Sequence, residues 1–298
     1  MSWSTLEVAP GIIRIESILG PRPFSQYLIH GERTMLVDTG VKETPADVIL
    51  PALAGRQVDV VLNSHADVDH FGGNAAIREA MPDAIFCAHA IDTPWIEDVA
   101  LIMRERYGWY DAYNVGYDSE TAAWLENAMG PPTVIDLQLT GGEVFRLGPA
   151  VSVEVLNLPG HSPGHVGLWE ANSRTAIVMD AVLAGGLLDT EGHIIHPPPI
   201  VDVGAYETTV RLLQSLRPTY LLTGHYAVIE GAAVETFLEE SLDFVARLRA
   251  FVAAKDDCSL AELLAGADAA LGPFTSMQNE LAAPLRSVVL ELGRTPHT

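Results

Sequence analysis

The segment His65-Ala66-Asp67-Val68-Asp69-His70-Phe71-Gly72-Gly73 places two imidazoles and two carboxylates within six residues, spaced by small or apolar side chains that can turn away. Carboxylates mixed with imidazoles suit Zn²⁺, Fe or Mn rather than Ca²⁺ or Cu⁺, so the chemistry such a loop offers is that of a metal centre. Three further donors stand alone along the chain. His161 lies in Leu158-Pro159-Gly160-His161-Ser162-Pro163-Gly164-His165, Asp180 follows the apolar run at 175–179, and His225 follows the run at 220–223.

Donors so far apart must be brought together by strands that end on one edge. The run Val58-Asp59-Val60-Val61-Leu62 reads as a strand buried on both faces, and Asn63-Ser64 ends it immediately before His65. His161, Asp180 and His225 each follow an apolar strand-like run, as a shared sheet edge requires. Around them the pattern predicts an antiparallel meander over 11–17, 26–30 and 34–38, a helix over 44–54, a helix from Asn74 to residue 81 and a strand over 84–88. Residues 90–130 are an aromatic-rich, mostly helical insert. Strands are expected at 133–137, 144–147, 151–158, 166–170, 175–179 and 220–222, with a helix at 205–216. Apolar spacing over 233–252 and the capping-box pattern Ser259-Leu260-Ala261-Glu262 predict a helical carboxy-terminal part. The domain reading is therefore 1–232 as the main unit and 233–298 as a helical appendage, a lid or a dimerisation element.

Taken together, these motifs resemble the metallo-β-lactamase superfamily, whose signature is a His-x-His-x-Asp-His loop followed by single His, Asp and His ligands. The resemblance spans residues 10–232. It implies an α/β fold, a four-layered αβ/βα sandwich, with a two-metal site at one edge of the sheets. Carried over position by position, it implies that His65 and His161 bind the first metal, that Asp69, His70 and His225 bind the second, and that Asp180 bridges both. It implies further that Asp38 supports the ligand loop by hydrogen bonds, and that His165 is a supporting residue rather than a ligand. The family mechanism uses a metal-bridging hydroxide as nucleophile, which Asp69 would orient as well as ligate. Tyr226, beside His225, is a candidate to reach the leaving group or oxyanion.

At the place of the family's second histidine this chain carries Asp67. Asp67 can still ligate, but it exchanges a neutral nitrogen donor for an anionic oxygen, and three carboxylates (Asp67, Asp69, Asp180) would then face two dications. The expected consequences are a less acidic bridging water and a first site tilted from Zn towards Fe or Mn. A carboxylate at this place is also similar to the di-iron oxygen and nitric oxide reductases. Candidates for substrate binding are His193 and His196 in the loop after Asp180, and Trp109, Tyr110 and Arg104 in the insert, with Arg106 either holding a substrate carboxylate or offsetting nearby negative charge.

Composition narrows the partners. Lys plus Arg total 17 against 39 Asp plus Glu, a net charge of −22 that repels phosphate backbones and anionic membrane surfaces. No nucleic-acid or membrane partner is expected. Two cysteines at no metal-site spacing and an amino terminus without a basic-then-apolar start point to a cytoplasmic protein. The expectation is a metal-dependent hydrolase with two divalent metals, acting on a small ester, thioester, lactone or phospho/sulfo ester, with a homodimer as the one protein partner considered. Two alternatives stay open: a di-iron redox protein fed by a separate electron donor, and a non-catalytic ligand-binding member of the fold.

Overall fold

The protein is described by a computed structural model over residues 2–255 and 258–298. A first sheet runs in sequence order through β1 (Ser4–Ala9), β2 (Ile12–Leu19), β3 (Arg22–His30), β4 (Thr34–Val37), β5 (Val60–Leu62), β6 (Ile85–His89) and β7 (Leu137–Leu139). Its first four strands pair antiparallel and the rest parallel. The chain then builds β8 (Val144–Arg146), β9 (Ser152–Asn157), β10 (Val166–Glu170) and β11 (Thr175–Ile177), a small ribbon of β12 (Leu187–Leu188) and β13 (Ile194–His196), and finally β14 (Tyr220–Leu222) and β15 (Ile229–Glu230). The second sheet has the order β15-β14-β11-β10-β9-β8.

The period of two in each strand sorts side chains between layers. Val60 and Leu62 point between the sheets, where they meet Val155, Val166, Leu168 and Ile177 of the opposing sheet. Val61 points the other way, into a cluster with Val48, Ile77 and Ile102 from the helical segments outside the first sheet. A third cluster joins Ala176 and Leu221 of the second sheet to the Val203–Leu216 helix and to the carboxy-terminal helices Ala232–Ala253, Leu260–Leu271 and Ala282–Glu291. Three apolar interlayers mean four layers, the αβ/βα sandwich. The three carboxy-terminal helices thus share a core with the same chain's second sheet, and the Ser259–Glu262 capping box starts the Leu260–Leu271 helix as expected.

The structure holds four strands beyond those expected, β1, β12, β13 and β15, and displaces one. Residues 4–9 are mostly exposed and lack a clear apolar alternation, and β12, β13 and β15 are only two or three residues long. The strand expected at 133–137 begins at Leu137 instead, because the Ile135 N–H is taken by the Glu97 carboxylate at 2.7 Å and Ile135 itself packs under the helices. Within the insert, Met103–Tyr107 forms a π-helical turn that directs Arg106 and Tyr107 inward, both buried. Among the described residues no helix is long and apolar enough to cross a membrane.

Candidate metal centre

His65 follows β5, His161 follows β9, Asp180 follows β11 and His225 follows β14, so the four strand ends deliver their donors to one edge of the sandwich. Asp69 and His70 lie on the short helix Val68–Phe71, for which Asp67 is the preceding extended residue. The loops are tied across the layers: Val166 N–H donates to Ser64 O, and Ser25 N–H donates to Gly224 O. Gly224 has to be glycine, since a Cβ there would lie 2.5 Å from Asp180 Oδ1 and 3.0 Å from His70 Cε1. Asp38 adopts φ 62°, a conformation that turns the chain sharply at the end of β4.

The hydrogen bonds fix the tautomers of all four histidines. His70 Nδ1 donates to Asp38 Oδ2 at 2.7 Å, and His161 Nδ1 and His225 Nδ1 donate to the carbonyls of Pro199 and Pro23 at 2.7 and 3.1 Å. Ser64 Oγ gives its proton to Asp38 Oδ2 and therefore accepts from His65 Nδ1, 2.9 Å away. Once its Nε2 is deprotonated, each ring presents that lone pair to the cluster. Three of these atoms, His65, His70 and His225 Nε2, together with Asp180 Oδ1, are buried without any hydrogen-bond partner. The fourth, His161 Nε2, faces Asp67 Oδ2 at 3.0 Å.

Buried polar atoms are seldom left unpaired, so a group of lone pairs aimed at one another calls for a cation. Donor atoms of His65, His161 and Asp180 lie within 4.8 Å of one another, as do those of Asp69, His70 and His225. Asp180 Oδ2 stands 3.6 Å from His70 Nε2 and 3.2 Å from His225 Nε2, and Asp69 Oδ2 is 3.5 Å from His225 Nε2. Metal bonds of about 2.0–2.2 Å place neighbouring donors at about 3.0–3.5 Å, close to the 3.2–3.6 Å of these pairs. The residues therefore fit a metal ion.

The field among these groups is steep. Burial opposes charge on Asp69, but His70 and His225 hold its carboxyl down at about 2. Burial likewise opposes protonation of His225, and Asp180 and Asp69 outweigh it, raising the ring to about 9. His65, by contrast, is driven well below the usual histidine range by burial and by the neighbouring imidazoles.

Asp67 is not the uncompensated third carboxylate expected from the sequence. Arg106, 2% exposed, lies against it: Nη2 donates to Oδ2 at 3.0 Å and Nε is 2.9 Å from Oδ1. Tyr107 donates its phenol to Oδ1 at 3.3 Å while accepting from Val68 N–H. Burial alone would keep Asp67 protonated; the Arg106 guanidinium and His161 hold it well below the ordinary carboxylate range. The negative charge of Asp67 thus has a buried counter-ion, the offsetting role weighed for Arg106 from the sequence.

Other candidates separate cleanly. Asp38 receives Ser64 N–H, Ser64 Oγ and His70 Nδ1. His165 is buried with its ring stacked on His65, 4.6 Å between centroids, and it supports that ring by packing rather than by a hydrogen bond. His196 lines the cleft over the cluster, its Nδ1 facing Arg22 Nη1 at 3.3 Å and its Nε2 donating to Glu280 at 3.0 Å. Five expectations are corrected. The Tyr226 hydroxyl is spent on the carbonyls of Leu183 and Gly186, with its ring edge-on to Phe237, away from the cleft. His193 is exposed and pairs with Asp189. Arg104 is exposed and pairs with Glu105. Tyr110 is fully buried in the helical core, and Trp109 stacks on it at 3.9 Å, facing a separate groove.

Three residues at the site were missed. Asp92 is buried behind the loops and joins them, accepting Ala66 N–H at 3.0 Å, Ser162 Oγ at 2.7 Å and Gly164 N–H at 2.8 Å. Asp92-Thr93-Pro94 looks like an ordinary helix start, which hid it, although its side chain makes no cap bond. Arg22 and Glu280 reach the cleft from the β2–β3 turn and the carboxy-terminal part, with no local motif to mark them. The space over the cluster is narrow, about 30 Å³, and Arg22, Trp124 and Met277 line both it and an outer cavity of about 740 Å³.

Known proteins agree with this architecture. A family model described as metallo-beta-lactamase superfamily matches residues 19–225. A probable metallo-hydrolase of Bacillus subtilis is 24% identical over 202 residues, covering 67% of this chain and 78% of that protein. An acyl-coenzyme A thioesterase of Homo sapiens is 26% identical over 219 residues, covering 71% of this chain and 68% of that protein. The crystal structure of a metallo-beta-lactamase family protein from Thermus thermophilus superimposes with a TM-score of 0.71 at 20% identity, covering 96% of this chain and 95% of that one. By the extent of the family match and the fold it shares, this chain belongs to the metallo-beta-lactamase superfamily.

Proposed function

We propose that the protein is a metal-dependent hydrolase of small carboxylic esters or thioesters that carry an anionic group beyond the scissile bond. The observation that carries the reading is the convergence of four histidine Nε2 atoms whose Nδ1 partners all force the lone pair inward, three of them without any partner of their own. His65, His161 and Asp67 would hold one divalent ion, Asp69, His70 and His225 a second, with Asp180 shared between them. Bound there, such ions supply Lewis acidity and a strong nucleophile from water at neutral pH.

The chain's own groups do the rest. Asp69 Oδ1 and Oδ2 stand 3.9 and 3.5 Å from His70 and His225 Nε2, and Asp69 lines the cleft, where its carboxylate is placed to accept a proton from the attacking water. The narrow cleft would take the scissile carbonyl, and the outer cavity the remainder of the substrate. Arg22 is the cationic side chain lining both spaces, beside Trp124 and Met277, while Asp118 and Glu120 line only the outer cavity; a substrate carboxylate or phosphate on an apolar stem would therefore meet Arg22 at the junction of the two. The thioesterase name borne by the human relative supports this class. A panel of p-nitrophenyl esters and acyl-thioesters, each with and without a terminal carboxylate, tests the proposal: metal-dependent turnover with preference for the anionic members is expected. Metal-loaded protein that turns over none of them contradicts it.

A further inference from the structure

Asp67 Oδ2 lies 3.0 Å from His161 Nε2 and 3.7 Å from His65 Nε2, so it stands as the third donor of that half of the cluster. The same oxygen accepts from Arg106 Nη2 at 3.0 Å, and Arg106 Nε closes on the other oxygen at 2.9 Å. Both side chains are buried, and the π-helical turn Met103–Tyr107 carries Arg106 to Asp67 from 39 residues along the chain. A guanidinium removed from water is costly unless a carboxylate neutralises it, and this one has a single carboxylate within bonding distance. Its Nη1 makes no hydrogen bond, and its Nε meets Oδ1 as an ion-pair contact without hydrogen-bond geometry. Such a placement is unfavourable for a residue with a packing role alone, where an apolar side chain would serve better.

Formal charges give the reason. An ionised Asp67 with Arg106 sums to zero, the charge of a neutral imidazole, while still presenting an oxygen lone pair to the space shared with His65 and His161. We propose that Asp67 and Arg106 act as one donor unit: an ion pair without net charge that holds a divalent metal together with His65 and His161, with Arg106 as the positioning residue that sets how tightly that metal is held. Tyr107 completes the unit by fixing Oδ1, which leaves Oδ2 as the oxygen turned to the histidines. The inference rests on the reading of the cluster as a metal centre.

A double-mutant cycle on metal affinity tests it, using the full chain and Zn²⁺ or Mn²⁺ in competition with a chromophoric chelator, with metal per chain counted by mass spectrometry. Asp67→His, or the nearly isosteric Asp67→Asn, leaves a buried cation beside the metal and should weaken the affected site by about tenfold or more; Arg106→Met leaves a surplus negative charge and should tighten it. Asp67→His with Arg106→Met restores a neutral donor and should return to within about threefold of wild type. A merely structural role would give losses that add, without rescue. Circular dichroism and melting curves of the metal-free variants identify any that do not fold, and Asp67→Asn keeps the cycle decisive if Asp67→His is one of them. Wild type that takes up no metal overturns the metal-centre reading itself. Wild type that binds metal, with Arg106→Met weakening the site and the double no tighter than Asp67→His alone, overturns the Asp67–Arg106 unit alone.

Discussion

The carboxylate of Asp38 accepts the Nδ1 proton of His70 at 2.7 Å, and both side chains are wholly buried. This bond fixes the His70 ring so that Nε2 points at Asp180 and Asp69. Through Ser64, the same carboxylate fixes His65, so one residue orients an imidazole in each half of the cluster. Asp38→Asn keeps the shape but loses the acceptor set, and metal affinity should fall by about 10–100-fold. Chelator competition measures it; an unchanged affinity would show that the ring orientations do not depend on Asp38.

Asp92 couples the loop of His65 to the loop of His161 by accepting from Ala66, Ser162 and Gly164. Asp92→Ala leaves two buried N–H groups and a hydroxyl without an acceptor, at a cost of about 2–4 kcal/mol. A melting temperature several degrees lower is expected, with metal affinity reduced in parallel because the two loops are no longer held in register. Stability equal to wild type would contradict this coupling.

Glu280 closes the cleft from the carboxy-terminal part, accepting from His196 at 3.0 Å and from the Tyr117 hydroxyl. Burial would raise its carboxyl, but His196 and Arg106 prevail and hold it below 4.5. A carboxyl depressed on folding contributes stability that is present above its unfolded pKa and is lost as the pH falls through the folded value. Glu280→Gln should therefore lower the melting temperature most above pH 5, with the difference from wild type shrinking below about pH 4. Paired thermal scans from pH 7 to pH 3.5 check the trend; a gap that widens on acidification contradicts it.

Arg22 stands at the passage from the outer cavity to the cleft. Replacing it with methionine should raise KM for a carboxylate-bearing ester by about tenfold, leave kcat within about threefold, and leave a neutral ester unaffected. Equal effects on the charged and neutral esters would place the anionic group elsewhere.

The positions of the donors that converge were legible because each interrupts an apolar run: His65 after β5, Asp180 after β11 and His225 after β14 are polar residues where a buried strand has to end. The layer order came from the family resemblance that those donors carry; the runs themselves show only that a strand apolar on both faces, such as 58–62, needs cover on both. What the sequence withheld were contacts made over long separations. Nothing near Arg106 signals that a π-helical turn aims it at Asp67 rather than at a substrate, and nothing near Glu280 signals His196 as its partner. Tyr226 misled for the opposite reason: adjacency to His225 placed its backbone at the site, while its ring turned to Phe237 and the ribbon carbonyls. Spacing along a chain predicts where a backbone goes better than where a long side chain ends.

The most direct measurement is the metal content of protein purified without added metal, followed by ester and thioester turnover before chelation, after it, and after return of Zn²⁺ or Mn²⁺, with Asp180→Ala in parallel. The account predicts two divalent ions per wild-type chain, turnover that disappears with them and returns on reloading, and loss of both pairing and activity in Asp180→Ala. Turnover that survives complete removal of metal, or an Asp180→Ala protein as active as wild type, would contradict it.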